Sequence, residues 1–569
     1  MKPPTLLAYS RYRDYRELVD ALFYLQSEFP ELIQLDVIGE SNEGRNIYSV
    51  TVTDTSTGCA DDKPALYLDG NIHAGEVTTS AFALYLIGYL AENYGQSSTV
   101  KKLLEGRTLY LIPRIAVDGA DVYLKTPYYV RSSTRDQEGW RQQPGVDPQD
   151  LNGDCLITLM RVPHPYGEWK VSQTDPRVMV RRKPGDLDGD YYKVYPEGRV
   201  KRASDLDPIE VRFVPGDSSP RWPLDLNRHY PMGWSPSQAG VSDVPLSEPE
   251  TQAQVKFILD RPNIVATVAL HTAGGVILNP LPRPPAEGFS DSDLHLFVRL
   301  GDLLEEHTGY PLLCKQNDEN TVSGHFSDWS YHHLGCVSLL IEMWNVAHAA
   351  GVELPRNRAE GSCEHMTEET EVRMLKWVDE ELGGDGFVDW VHYDHPDLGP
   401  VEIGGWDLKF TRHNPPLRYV EDELAKNVPF MLDMMAALPQ LAFGRTRMTP
   451  VSEGVLQIRL QVQNAGYLPT HVTEKALDLG KAQPVMVSLE PSVGEVLGAR
   501  ELDLGHLDGR SIHGDQQGWT GYYIYGNPVP EFERVAAWTV RLDRGKFKGE
   551  VTAETPRGGR VQMKIAWPD

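Results

Sequence analysis

Histidine, carboxylate and arginine side chains recur in this chain at spacings that could build a hydrolytic metal site. In LYLDGNIHAGEVTTS, His73 and Glu76 lie three residues apart just after an apolar run. One imidazole and one carboxylate so placed can meet a single divalent cation, and two histidines with a glutamate form a known zinc set. The pair alone decides nothing, because HxxE arises by chance and describes a solvated loop equally well. Two more groups sit at the ends of apolar runs: His271 after Ile264–Leu270, and Glu342 in SLLIEMW. An acid there is costly to bury unless it is paired or functional. Arg131 stands twelve residues after Gly119 of PRIAVDG, and Asn227 and Arg228 are adjacent in PLDLNRHYP. Such groups can grip a carboxylate or an oxyanion, but they also cap loops and pair with surface acids.

A second chemistry is written in DPQDLNGDCLI. Asp150, Asn152 and Asp154 follow the first half of a calcium-binding loop, but Cys155 replaces the glycine and Arg161 the final acid. Asp186, Asp188 and Asp190 are followed by Glu197 at the twelfth position but have Tyr191 at the sixth. Asp/Gly turns use the same residues, so structural Ca²⁺ and a plain turn both remain open.

Positioning these groups requires elements that the hydrophobic pattern supplies. Ala65–Leu68, Thr108–Ile112, Ile264–Leu270 and Val337–Ile341 read as short buried strands. Helical spacing covers Ser10–Pro30, Thr78–Asn93, Ser247–Asp260, Asp291–His307, Thr367–Leu382 and Tyr419–Leu438, with Thr78, Thr79 or Ser80 available to cap the second. Strands alternating with helices predict an α/β sheet layered by helices, and ligands gather at strand ends in such sheets. Two stretches, 132–221 and 361–416, show little periodicity, and His392–Trp406 within the second reads as turn-rich. From about Thr449 the pattern becomes short alternating runs punctuated by Gly and Pro, the signature of an all-β sandwich. The expected division is therefore a unit over 1–445 with two insertions and a β domain over 446–569.

Composition narrows the function classes. The 569 residues are 40% hydrophobic and 24% charged, which excludes wholesale disorder, and the net charge of −26 disfavours nucleic acid and anionic membrane as partners. The longest apolar run, Ala81–Leu90, is far short of a membrane span. Five scattered cysteines and no recognisable leader favour a reducing, cytoplasmic setting.

Taken in order, the motifs resemble the zinc carboxypeptidase family, the funnelins typified by pancreatic carboxypeptidase A. The resemblance runs from Tyr9 through IGESNEGRNIYSVTVT, HAGE, the VDG turn, DLNR, SEPET and the strand ending in His271 to SGxxxDW before Glu342. The steps from Gly119 to Arg131 and from Asp328 to Glu342 match the family's spacing without a gap. The resemblance implies a carboxypeptidase-like mixed sheet and a metallocarboxypeptidase that trims peptides with a free C-terminus. It implies Zn²⁺ on His73, Glu76 and His271, Glu342 as general base, Arg131 as oxyanion donor (Arg135 being the alternative), and Asn227 with Arg228 on the terminal carboxylate. Three departures point at the substrate. Asn320 stands where the family has a mobile tyrosine, for which Tyr310 or an inserted loop could substitute. Gly75 replaces an arginine, and Ser327 occupies the selectivity position with His325 and Lys315 nearby. They leave open a specialised amidohydrolase on the same scaffold, or a binding module without catalysis.

Overall fold

The computed structural model describes residues 3–135, 145–202, 209, 222–280, 289–313, 323–352, 366–512 and 531–568. An eight-stranded mixed sheet forms the centre. Its order is Ile33–Glu40, Asn46–Val52, Thr108–Ile112, Ala65–Asp69, Ile264–Thr272, Val337–Met343, Val276–Leu278 and Leu312–Leu313. The four middle strands run parallel, and antiparallel pairs flank them. Their residues are buried on both faces, which is why they read as unbroken apolar runs.

Strand alternation sorts these side chains into two cores. Leu66, Leu68, Leu109, Leu111, Leu339 and Ile341 face the helices Val77–Asn93, Asp291–Thr308 and Leu417–Ala437. Tyr67, Tyr110, Ile112, Ala269 and Leu340 face Pro249–Leu259 and Phe326–Leu334. Each fully buried Leu or Ile contributes about 1.5–3 kcal/mol relative to exposure. Among the described residues, no helix is long and apolar enough to cross a membrane.

The expected cap of the second helix is corrected. Glu76 takes the N-cap position without a side-chain cap bond, and Thr78, Thr79 and Ser80 lie inside the helix. Thr79 and Ser80 instead bond Asn71, whose amide in turn donates to the carbonyls of His73 and Ala74. Local side-chain bonding thus shapes the loop that carries His73.

The two aperiodic stretches are not structureless. The first contributes Leu159–Pro163, Trp169–Val171, Met179–Arg181 and Tyr192–Pro196, and the second contributes the hairpin Phe387–His395 and Gly399–Trp406. Together they form one six-stranded accessory sheet, joined where Glu402 pairs with Arg161. Most of His392–Trp406, expected as turns, is this hairpin.

The C-terminal region is a sandwich of two four-stranded sheets closed over Leu456, Ile458, Leu460, Leu489, Trp538 and Val551. Its first strand begins at Leu441, a few residues before the expected boundary, because the helix Leu417–Ala437 runs almost directly into it. Arg557 reaches back to donate to the carbonyls of Leu334 and Gly335, and Thr473 donates to the latter as well. These bonds pin the turn between the helix Phe326–Leu334 and the strand Val337–Met343. Cys59, Cys155 and Cys336 are free thiols.

Candidate metal centre

Three adjacent parallel strands deliver the site at their C-terminal ends. Ala65–Asp69 leads into the loop bearing His73 and Glu76, and Ile264–Thr272 carries His271 as its penultimate residue. Val337–Met343 places Glu342 directly in register with His271. Close packing there depends on Gly274, where a Cβ would fall 2.9 Å from the Cβ of Glu342.

The ligand-type atoms of His73, Glu76 and His271 lie within 4.8 Å of one another, and all three residues are buried. His73 Nδ1 is 2.7 Å from Glu76 Oε1 and 3.1 Å from His271 Nδ1. Glu76 Oε2 lies 2.9 Å from His271 Nδ1 but off its hydrogen-bonding direction, so this buried oxygen has no hydrogen bond. Two imidazole nitrogens aimed at each other beside an unsatisfied carboxylate oxygen are poorly served by protons and well served by a divalent cation. Nitrogen and oxygen donors of this set suit zinc. Burial raises the Glu76 carboxyl, but the two imidazoles outweigh it and hold it well below the usual carboxylate range. Burial also keeps His271 below the ordinary histidine value, which favours the neutral, ligating form.

A residue not assigned from the sequence holds this set together. Asp225 Oδ1 lies 3.0 Å from His73 Nε2, and its Oδ2 accepts from Arg131 Nε at 3.0 Å and lies 3.5 Å from Arg228. A carboxylate behind a histidine fixes its tautomer and strengthens it as a ligand. Burial pushes the Asp225 carboxyl up, but Arg228, Arg131 and His73 reverse the effect and keep it ionised. The available signal was the position of Asp225 at the head of DLNR.

Arg131 sits between Asp225 and Glu76, 4.0 Å from the latter, and its carbonyl accepts from Ala74 in the metal loop. The alternative, Arg135, is drawn off to Glu248 at 2.9 Å. Asn227 Oδ1 accepts the Phe326 N–H, tying the DLNR turn to the helix that begins with Phe326 and Ser327. Arg228 donates to the Asn227 carbonyl. His325, at the N-cap of that helix, and Ser327 are buried in its first turn. Asn320 and Lys315 lie outside the described residues. Tyr310 does not substitute for the missing tyrosine: it is buried, bonded to Glu423 and to the Trp344 N–H.

Gly75 is filled from elsewhere. A Cβ there would meet Tyr123 at 2.9 Å and His413 at 3.1 Å, so the second insertion occupies the space an arginine side chain would leave by. Tyr123, Tyr129, Arg131 and His413 line a narrow crevice beside His73.

The calcium expectation finds no support. Asp150 accepts from the backbone N–H groups of Gly153 and Cys155, Asn152 from that of Asp154, and Asp154 from that of Leu156. These are the bonds of a self-contained turn. Asp186 likewise accepts from Lys183 and pairs with Lys170. Among the described residues, His73, Glu76 and His271 form the one cluster of three such ligand types close enough to share an ion.

The family model for zinc carboxypeptidases (Peptidase_M14) matches residues 18–155 and 218–368, just over half of the chain, and the chain belongs to that family. Membership implies Zn²⁺, and among the described residues His73, Glu76 and His271 are the cluster that could hold it. Residues 440–566 match a domain of unknown function, DUF8731. A zinc carboxypeptidase of Saccharothrix mutabilis subsp. capreolus is 26% identical over 140 residues, 25% of this chain and 32% of that protein. Carboxypeptidase A2 of Mus musculus is 33% identical over 140 residues, again 25% and 32%. The match thus spans about a third of the length of these relatives. Among solved structures, carboxypeptidase A from Helicoverpa armigera aligns with a TM-score of 0.38 at 17% identity, covering 59% of this chain and 66% of that one.

Proposed function

We propose that the protein is a zinc-dependent metallocarboxypeptidase that removes the C-terminal residue of peptides bearing a free carboxylate. The observation that carries this reading is the buried His73–Glu76–His271 set with Glu342 in register beside His271 on the neighbouring strand. Zinc held by those three residues supplies a water acidic enough to react at neutral pH and a Lewis acid for the scissile carbonyl.

The chain's own residues do the rest. Glu342 takes the proton from the attacking water and passes it to the leaving amine, converting a poor leaving group into a neutral one. Arg131, backed by Asp225, donates to the carbonyl oxygen as it gains charge. Arg228 binds the terminal carboxylate. Asn227, whose Oδ1 is taken by Phe326, has its amide N–H groups to offer that same carboxylate. This grip makes the enzyme an exopeptidase, because an internal peptide bond brings no carboxylate to it. Asp225 holds His73, Arg131 and Arg228 in one constellation and therefore couples metal, oxyanion and carboxylate sites.

The test is mass spectrometry of a mixed peptide library after incubation with zinc-loaded wild type and with Glu342→Gln. Loss of C-terminal residues with wild type alone, at equal zinc content in both, is the expected result. Cleavage by both proteins removes Glu342 as the base. Intact peptides with zinc bound overturn the peptidase reading and favour an amidohydrolase with a narrower substrate, such as a modified amino acid, a cell-wall peptide or a side-chain-linked glutamate.

A further inference from the structure

Glu76 has two duties that one side chain cannot perform together. It is the N-cap of the helix Val77–Asn93, and an N-cap side chain ordinarily accepts from the N–H of the second or third helical residue. Its carboxylate is instead turned toward His73 and His271.

The capping acceptor comes from Asn414, 336 positions away from Thr78. Asn414 Oδ1 accepts from the Thr78 N–H at 3.1 Å and from its hydroxyl at 2.8 Å. Its amide Nδ2 donates to the Gly75 carbonyl at 2.8 Å, to the Lys409 carbonyl and to the Tyr123 hydroxyl. Asn414 is completely buried. One bond thus holds the peptide just before Glu76 and the other the second helical N–H after it. Fixing the backbone on both sides fixes the direction in which the Glu76 carboxylate leaves it. An asparagine amide accepts at one terminal atom while donating from the other: aspartate keeps the acceptor alone, and alanine keeps neither.

The turn behind Asn414 is built to be stiff. Asp407 accepts from the N–H groups of Lys409 and Phe410. Lys409 is buried, donates to the carbonyls of Tyr123 and Thr126, and packs against the Tyr123 ring. The Thr411 carbonyl accepts from the indole of Trp344, two residues beyond Glu342. The same turn therefore braces the loop of Glu76 and the strand of Glu342.

We propose that Asn414 is a positioning residue of the metal centre, supplied by the second insertion, which orients Glu76 by capping its helix in its stead. The proposal rests on His73, Glu76 and His271 being the zinc site. The test is zinc affinity, measured by competition with the chromogenic chelator 4-(2-pyridylazo)resorcinol, for wild type, Asn414→Asp and Asn414→Ala, with melting of the metal-free forms alongside. The expected order is wild type, then Asp, then Ala, with the alanine variant about 10–100-fold weaker, as for other outer contacts of metal ligands. A role in folding alone shifts the melting point and leaves affinity unchanged. An alanine variant within twofold of wild type overturns the proposal. If that variant does not fold, the shape-conserving aspartate carries the test, and wild-type affinity there overturns it. A wild type that binds no zinc refutes the metal assignment itself, a separate result.

Discussion

The central sheet and the accessory sheet both place an arginine against a carboxylate, and the contrast shows what each sheet is for. Arg131 leans on Asp225 at the ends of parallel strands, within reach of Glu76 and beside the ligand set. Arg161 bonds Glu402 across the seam between the two insertions, stacked against Tyr192 and Trp390. In the proposed function the first pair arranges charge where the reaction needs it, and the second stitches chain segments 241 residues apart. An arginine–carboxylate pair is therefore read from what surrounds it: a metal set in one case, aromatic faces in the other.

The sharpest way to break this comparison is to remove both arginines separately. Arg131→Ala should lower kcat about 10²–10³-fold, the usual loss for an oxyanion donor, whereas Arg161→Ala should leave kcat within twofold. Steady-state kinetics on one peptide measure both, and equal losses would erase the distinction. A second contrast concerns stability. Leu339, fully buried in the central sheet, should cost about 2–5 kcal/mol as Leu339→Ala, against roughly 1–3 kcal/mol for Arg161→Ala, read from urea unfolding.

A smaller, pH-dependent effect belongs to the central unit. Glu250, on the helix Pro249–Leu259, is buried, and burial pushes its carboxyl up to about 7. The folded state then binds this proton more tightly than the unfolded state. Its contribution is fully favourable below the ordinary carboxylate value, declines as pH rises toward 7, and is a constant cost above that. Glu250→Gln should therefore be more stable than wild type at pH 8, by at most about 3 kcal/mol, with the advantage fading toward pH 4. Melting curves across that range check the sign, and a constant difference contradicts it.

The same contrast explains what the sequence could reveal. The central strands were legible because burial on both faces makes them continuous apolar runs, and His271 and Glu342 could be placed at their ends from that alone. The accessory strands were not. Trp169–Val171 and Met179–Arg181 have three residues each, half-buried, and the sheet closes only by pairing Leu159–Pro163 with Gly399–Trp406. No local pattern encodes a partner that far away. The His73–Glu76–His271 cluster was readable from motif order, whereas Asp225 and Asn414 were not, since the bonds that tie them to His73, Arg131, Gly75 and Thr78 all reach residues remote in sequence. The capping residue was misplaced for a related reason: Thr78, Thr79 and Ser80 have the right chemistry, but Glu76 starts the helix and Asn414 caps it.

The contacts that Arg557 makes with the carbonyls of Leu334 and Gly335 set a timetable for synthesis. The Leu334 contact spans 223 residues, so at about 5–20 residues per second the ribosome takes on the order of ten to forty seconds to produce the second partner. Throughout that interval the turn ahead of the Glu342 strand lacks the Arg557 part of its clamp, the Thr473 bond being available earlier. The turn is fully clamped only after Arg557 has left the exit tunnel, so a chain that stalls before that point leaves the entry to the Glu342 strand incompletely braced.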